Sequence, residues 1–182
     1  MSLAIGMIEL SSISRGFATA DSMLKAANVE MFTATSACPG KYIVIVRGDV
    51  ASVKSAVDAG RETAGAHMIE CIVIPNIEPS IFSAIVGTTM PSRLGALGVI
   101  ETFSLANMMS VADAVLKAAN IEAIEMRLGN GIGGKAFFTF TGDVAAVAAG
   151  IDAGTALASE SGLLVNTELI PSPDPSLFAS LF

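Results

Sequence analysis

The sequence predicts an α/β (α+β) fold in which one βαββαβ unit occurs twice. The first observation is an internal repeat, because residues 20–30, ADSMLKAANVE, correspond to residues 112–122, ADAVLKAANIE. The second is the pattern within each copy, where short apolar runs alternate with two stretches of helical periodicity. With 182 residues, the chain is long enough for two small domains of this kind.

The repeat extends over nearly the whole chain. The other matched pairs are 4–9 with 96–101, 48–60 with 142–154, and 74–82 with 170–178. The offset grows from 92 to 94 and then to 96 residues, so the second copy contains two short insertions. Insertions concentrate in loops, and we expect turns at both places. The copies meet at a linker near residues 87–95, which predicts domains at 1–90 and 95–182.

The first half of each copy is predicted as strand, helix, strand, turn and strand. Leu3–Glu9 is a short apolar run, and Phe17–Asn28 carries apolar residues at helical spacing. Two further strands are predicted over Val29–Thr35 and Tyr42–Arg47. Between them, Pro39-Gly40 indicates a turn.

The second half of the copy is predicted to begin with a helix capped by Asp49, a residue type that caps helices well. Gly60 lies on the apolar face of this helix and indicates close packing. A strand over Ile69–Ile74 and a short helix over Pro79–Ile85 complete the copy. The second copy repeats the order with Asp143 as the cap, and the layout is the split-βαβ, ferredoxin-like one.

Composition excludes several classes of function. The formal charge of −7 argues against nucleic-acid binding and against docking on anionic lipid, both of which need a basic face. Hydrophobic residues make up 52% of the chain, yet no run approaches the roughly 18 apolar residues of a membrane span. The N-terminus lacks the features of a signal peptide. We therefore expect the apolar excess to be buried between subunits.

The most conspicuous string is GNGIGGK at residues 129–135. Its letters match two nucleotide-binding motifs, but both motifs need a helix directly after the glycines, and here the strand-like AFFTFTGD follows. We therefore interpret it as a loop between two strands, whose glycines allow positive φ or close approach to another backbone. SACPGK at 36–41 is the corresponding loop of the first copy.

Cys38 lies in that first-copy loop. Most lone cysteines are small buried hydrophobes, but a loop tip favours a ligand or redox role. One cysteine cannot hold a metal cluster alone, whereas a threefold axis would bring three Cys38 thiolates together, and soft thiolates suit iron–sulfur ligation. Cys71 lies in an apolar strand and is predicted as core. The two cysteines form no disulfide framework, which fits a reducing cytoplasm.

No catalytic constellation is recognisable. His67 stands without a nucleophile and carboxylate set, so a surface or capping role is expected. Glu9 and Glu101 are repeat equivalents, and a structural hydrogen bond is expected for both. Lys25 and Lys117 recur within KAAN near helix C-termini, where they either complement the helix dipole or form an interface. We therefore expect a protein that is not an enzyme.

Three motifs occur in order in both copies: AIGMIE or ALGVIE, ADxxLKAAN and GDVAxV. On these motifs the chain resembles the bacterial microcompartment shell family, and most closely the tandem-domain, trimeric subgroup of propanediol-utilisation microcompartments. The resemblance implies a homotrimer whose six domains form a pseudohexameric tile, in contact edge to edge with other shell proteins. It also implies a location in the shell of a microcompartment within the bacterial cytoplasm.

The subgroup carries a Cys-Pro-Gly-Lys loop at its central pore. The resemblance implies that Cys38 of three subunits binds one [4Fe-4S] cluster on the threefold axis, for electron transfer across the shell or for exchange with a luminal or cytosolic redox enzyme. Such a cluster would be lost or degraded in aerobic preparations. Lys25 and Lys117 match the lysine at tile edges. The implied pore-loop residues are Ser36, Ala37, Cys38, Pro39, Gly40, Lys41, Gly129, Asn130, Gly131, Ile132, Gly133, Gly134 and Lys135.

One feature of the family is missing. A Pro-Arg-Pro-His motif near the closing strand normally lies at the tile edge, but the counterparts here read PNIE at 75–78 and PSPD at 171–174. Two other functions stay open at this point. One is a shell tile with a gated pore for small metabolites and no cluster. The other is a ligand-binding sensor or an enzyme on a duplicated ferredoxin-like scaffold.

Overall fold

The computed structural model describes residues 3–181, so residues 1, 2 and 182 of the two predicted domains lie outside the described part of the chain. It confirms the repeated βαββαβ order. The elements are β1 (Ala4–Leu10), α1 (Ile13–Ala26), β2 (Glu30–Ala37), β3 (Lys41–Gly48), α2 (Val50–Ala64), β4 (Met68–Ile74), α3 (Ser80–Ile85), β5 (Ala96–Thr102), α4 (Leu105–Ala118), β6 (Ile121–Leu128), β7 (Ala136–Gly142), α5 (Val144–Glu160), β8 (Leu164–Ile170) and α6 (Pro175–Ala179).

The chain forms two compact units that differ slightly from the sequence repeats. The first unit ends at Ile77 and includes the loop Gly129–Gly134, while the second comprises Glu78–Leu128 and the chain from Lys135 onward. Helix α3, which the sequence repeat assigns to the first copy, packs against β6 and so belongs to the second unit.

The first unit is a four-stranded antiparallel sheet with two helices on one face. The strand order is β2-β3-β1-β4, so β1 pairs with both β3 and β4 and β2 is an edge strand. Ile8, Val44, Met23 and Val57 meet in the core cluster between the sheet and helices α1 and α2. Because successive side chains of a strand point to opposite faces, every second residue of β1 and β3, Ile8 and Val44 among them, lies under the helices.

The second unit repeats this arrangement with the strand order β6-β7-β5-β8, again antiparallel. Helices α4 and α5 pack against each other as α1 and α2 do. Phe138 and Phe140 on β7 are fully buried and lie with their ring centroids 5.3 Å apart.

Gly60 confirms the predicted close packing of helices. A Cβ added there would lie 2.5 Å from Ile8 Cδ1 and 2.7 Å from Met23 Cγ. Its repeat equivalent Gly154 is similarly confined, because a Cβ would lie 2.5 Å from Ile100 Cδ1. In both units a glycine therefore lets the second helix approach the sheet.

Helix α1 begins four residues before its predicted start. Ser12 caps it, because its Oγ accepts a hydrogen bond from the backbone N–H of Arg15. The helix also ends at Ala26, two residues earlier than expected. Phe17, which lies on its predicted apolar stripe, is 64% exposed.

The two predicted aspartate caps differ. Asp49 accepts from the backbone N–H of Ser52 and caps α2, as predicted. Asp143 occupies the N-cap position of α5 without a capping hydrogen bond, and its Oδ1 accepts from Arg93 Nη2 at 2.9 Å. Across residues 3–181, no helix combines the length and apolar character that crossing a bilayer requires.

Candidate functional site

The first β-β loop is shorter than predicted, whereas the second has the predicted bounds. Between β2 and β3 only Cys38–Gly40 lie outside the strands, because Ser36 pairs with Tyr42 and Ala37 with Lys41 in the antiparallel ladder. Ser36, Ala37 and Lys41 are therefore strand residues, not loop residues. The second loop, Gly129–Lys135, connects β6 to β7, which confirms that the glycine-rich string is not followed by a helix.

The two loops contact each other within the first unit. The backbone N–H of Cys38 donates to the Gly129 carbonyl at 3.1 Å. Gly134 has a φ of +81°, and a Cβ there would lie 2.7 Å from Pro39 Cδ and 2.9 Å from the Cys38 carbonyl oxygen. Both conditions favour glycine, so the glycine-rich loop supports the Cys38 loop from one side.

Cys38 is a free, partly exposed thiol at the end of β2. Neither loop contains a carboxylate or a histidine within residues 36–41 and 129–135. The thiol is therefore the one soft ligand that these loops offer.

Cys71 cannot join Cys38 within one chain. It lies on β4, where it pairs with Ile8, and β4 is three strand positions from β2. Adjacent strands are about 4.8 Å apart, which separates the two cysteines by at least about 14 Å across the sheet. Burial raises the pKa of the Cys71 thiol, and the side chain packs against the core cluster, as predicted. Residues 3–181 contain no group of three His, Cys, Asp or Glu placed to hold a metal ion.

An ion pair follows each loop. Lys41 Nζ lies 2.6 Å from Glu9 Oε1, and at the equivalent place Lys135 Nζ lies 2.6 Å from Glu101 Oε1. The two pairs differ in burial: Glu9 is 0% exposed and Lys41 18%, whereas Glu101 is 31% and Lys135 36% exposed. This confirms the structural role predicted for both glutamates. Their lysine partners were not predicted, although each loop ends in Gly-Lys.

Lys25 and Lys117 each bind an aspartate one helical turn earlier. Lys25 Nζ lies 2.6 Å from Asp21 Oδ2, and Lys117 Nζ lies 2.6 Å from Asp113 Oδ2. Their contact with a neighbouring tile stays a prediction. His67 is exposed at the end of a short 3₁₀ turn, and its carbonyl accepts from the backbone N–H of Ser11 at 2.8 Å.

A surface cavity of about 610 Å³ lies in the second unit, between the start of α5 and the C-terminal segment. Its lining includes Asp143, Pro171 and Phe178 and is largely apolar. The described lining contains no histidine, cysteine or lysine, so it offers no acid–base pair.

Comparison with known proteins decides the family. The BMC domain model matches residues 4–77 and again residues 96–173. The chain belongs to the bacterial microcompartment shell family. The shell protein PduT of Citrobacter freundii is 37% identical over 181 residues, which cover 100% of this chain and 98% of that protein. The carboxysome assembly protein CcmO of Synechococcus elongatus is 29% identical, over 98% of this chain and 68% of that protein.

Solved structures agree with this family. A microcompartment protein from Desulfitobacterium hafniense superimposes with a TM-score of 0.92 at 45% identity, covering 98% of this chain and 99% of that one. A fused, permuted hexameric shell protein of the RMM microcompartment superimposes with a TM-score of 0.64 at 18% identity, which shows a shared fold alone. The chain is thus a structural shell protein with two tandem BMC domains, and its place is the microcompartment shell.

Proposed function

We propose that this shell protein forms a homotrimeric, pseudohexameric tile and that Cys38 of three subunits binds one [4Fe-4S] cluster on the threefold axis. The observation that carries the proposal is the free thiol of Cys38, partly exposed and placed by two contacting loops. A site with one thiol per chain needs two more from symmetry mates to ligate a cluster.

The exposure of the first helix supports self-association. Ile13 and Phe17 on α1 are 42% and 64% exposed, whereas their repeat equivalents on α4, Leu105 and Met109, are fully buried. Large apolar side chains are thus exposed in the first repeat where the equivalent residues of the second repeat are buried. This pattern is expected in an isolated chain whose first repeat forms an interface with another subunit.

The residues around Cys38 fit an iron–sulfur cluster. The thiol is not in a disulfide, and the loops present no competing carboxylate. Lys41 is already bound to Glu9, so its ammonium is held at the base of the loop. When bound, the cluster supplies one-electron transfer. The chain's own part is to hold Cys38 in place through Gly129 and Gly134 and to keep the strand that follows anchored on Glu9.

The tile would have two kinds of partner. Lys25 and Lys117 would contact other shell proteins at the tile edge, and their exposure of 74% and 41% leaves them accessible for this. A redox enzyme on the luminal or cytosolic side would exchange electrons or the cluster with the tile. The missing Arg and His at 75–78 and 171–174 predict that edge contacts differ from those of regular hexagonal tiles.

The proposal is tested by anaerobic purification followed by assays of iron and acid-labile sulfide and by EPR spectroscopy. We expect about four irons per trimer in the wild type and none in Cys38→Ser. Cys71→Ser is the matched control and should keep its iron, since Cys71 lies at the opposite edge of the sheet. Iron retained in Cys38→Ser would contradict the proposed ligand.

A trimer without iron, even after anaerobic reconstitution, would favour the second candidate function, a tile whose pore passes small metabolites. The observation that favours this candidate is the open form of the second loop. Gly131 and Gly133 have φ values of +74° and +66°, and no other atom lies within 4 Å of a Cβ placed on either.

A further inference from the structure

The second unit has a cavity at the place that a side chain closes in the first unit. In the first unit, Ile77 is 2% exposed, and its backbone N–H donates to the Leu3 carbonyl at 3.0 Å. This contact holds the segment after β4 against the residue before β1. The repeat offsets make Pro173 the equivalent of Ile77 and Gly95 the equivalent of Leu3. Pro173 and Gly95 both line the surface cavity of about 610 Å³.

The exchange of Ile77 for Pro173 between the repeats removes a hydrogen-bond donor and an aliphatic side chain together. Proline has no backbone N–H, so Pro173 cannot give the Gly95 carbonyl the bond that Ile77 gives to Leu3. The proline ring is also smaller than the side chain of isoleucine, and Pro173 stays partly exposed where Ile77 is enclosed. The cavity therefore begins where the second unit lacks a donor and part of a hydrocarbon group.

A second acceptor at the cavity has also lost the partner that it has in the first unit. Asp49 accepts from the backbone N–H and from the hydroxyl of Ser52, which engages both carboxylate oxygens. Its equivalent Asp143 lines the cavity, but Ala146 stands in place of Ser52 and the capping bond is missing. Asp143 Oδ1 accepts from Arg93 Nη2 at 2.9 Å, so the charge of Asp143 is already balanced. A ligand at this place needs a donor and no positive charge.

We propose that this cavity binds a small, neutral, branched aliphatic molecule that carries an N–H or O–H donor. Such a molecule supplies the two features that Ile77 supplies in the first unit, a hydrocarbon group and a donor to the carbonyl of Gly95. Leu94, Val144 and Phe178 form apolar walls for the hydrocarbon group. The volume of about 610 Å³ lies within the range of small-molecule sites, which is about 300–1,000 Å³.

The lining also defines which molecules the cavity rejects. The Gly95 carbonyl and the Asp143 carboxylate are both acceptors, so a ligand carboxylate would meet them without a donor of its own. Leu94 and Val144 are each 46% exposed, and covering them with hydrocarbon removes apolar surface from water. The cavity should therefore distinguish an aliphatic amide from the carboxylate of the same shape.

The test is a titration followed by saturation-transfer difference NMR, with isovaleramide as the probe and isovalerate as its matched control. The two molecules share one branched skeleton, but the amide donates hydrogen bonds and the carboxylate only accepts them. We expect saturable binding of isovaleramide and binding of isovalerate that is weaker by about tenfold or more, because like charges and unpaired acceptors oppose it. No saturable binding of isovaleramide, or equal binding of the two probes, would overturn the inference.

Two variants of the full-length chain locate the binding. Pro173→Ile introduces the first-unit residue and should weaken isovaleramide binding by about tenfold or more, because the larger side chain takes up space in the cavity. Ala179→Phe should do the same from another wall, since Ala179 is an exposed lining residue that can be enlarged without disturbing the core. Ala156→Phe, at an exposed position on α5 outside the lining, is the matched control and should bind as the wild type does.

Unchanged binding in Pro173→Ile or in Ala179→Phe would overturn the inference, and so would an equal loss in Ala156→Phe. The measurements are made in a Cys38→Ser background, so that no cluster contributes to the signal. The cavity and the proposed cluster are thereby tested separately. Binding of isovaleramide is expected whether or not the wild type holds iron.

Discussion

Replacing Lys41 by Met should cost far more stability than the same change at its repeat equivalent, Lys135. Both ammonium groups lie 2.6 Å from a glutamate, so bond length does not distinguish them. Burial does, because Glu9 is 0% exposed and Glu101 is 31% exposed. Breaking a buried ion pair costs about 3–5 kcal/mol, since the remaining charge is left without its partner in a poorly solvated site.

The exposed pair should matter little. With Glu101 and Lys135 about a third exposed, solvent screens the attraction, and such pairs contribute about 0–1 kcal/mol. In a chain of this size, 1 kcal/mol shifts the thermal midpoint by about 2–4 °C. We therefore expect Lys41→Met to lower the midpoint by about 6–20 °C and Lys135→Met by about 4 °C or less.

The assay is thermal unfolding followed by circular dichroism at one fixed protein concentration, because oligomer stability depends on concentration. A Cys38→Ser background keeps iron binding out of the comparison. Adding Glu9→Gln to Lys41→Met should restore part of the loss, because it removes the buried negative charge that Lys41 balances in the wild type. Equal shifts for the two lysine variants would refute the reasoning from burial.

Three further predictions concern the loops, the second cysteine and α1. Gly134→Ala should change the rate at which maleimide labels Cys38 in the iron-free protein, because the new Cβ would lie 2.9 Å from the Cys38 carbonyl oxygen. Gly131→Ala is the control and should leave the labelling rate unchanged, because Gly131 also has a positive φ but has open space around it. Burial raises the pKa of the Cys71 thiol above its ordinary value of 9.0, and the thiolate is the reactive form. In Cys38→Ser, the rate at which a disulfide reagent labels Cys71 should therefore still increase with pH at pH 9.0. A labelling rate that reaches a plateau below pH 9 would contradict this. Ser12→Ala should destabilise the protein by about 1 kcal/mol in urea unfolding, because α1 loses its cap.

The order of elements was predictable because each signal is local. Apolar runs, helical spacing and the Asp49 cap all lie within a few residues of the element that they specify. The start of α1 was not predicted, since its first turn, ISRG, has no apolar periodicity; there the helix is defined by the Ser12 cap and by the hydrogen bond from Gly16 N–H to the Ser12 carbonyl. Phe17 lies on the apolar stripe of this helix and is nevertheless 64% exposed, because helical spacing does not distinguish an exposed apolar residue from a core residue.

The residues of the candidate site could be predicted from the sequence, but the contacts between them could not. Cys38, Pro39 and the glycines identify two unusual loops at equivalent positions. Their contact through Gly134, and the ion pair between Glu9 and Lys41, join residues that lie far apart in the chain. Such contacts depend on strand register and tertiary packing, which the spacing of residues along the chain does not encode.

The second insertion, between the second helix and the closing strand of the second copy, also shows what the sequence does not specify. The sequence predicted a turn between the second helix and the closing strand of each copy, and both units have one. The two extra residues of the second copy, however, extend the helix, since α5 has 17 residues and α2 has 15. A repeat offset therefore locates an insertion without showing which element absorbs it.

Native mass spectrometry of anaerobically purified wild-type protein tests the central claim most directly, because one spectrum reports both the number of chains and the number of clusters. We expect three chains with one [4Fe-4S] cluster as the main species, and three chains with no cluster for Cys38→Ser. Trimers that carry one cluster per chain, or a cluster that survives in Cys38→Ser, would contradict a site shared by three Cys38 thiolates.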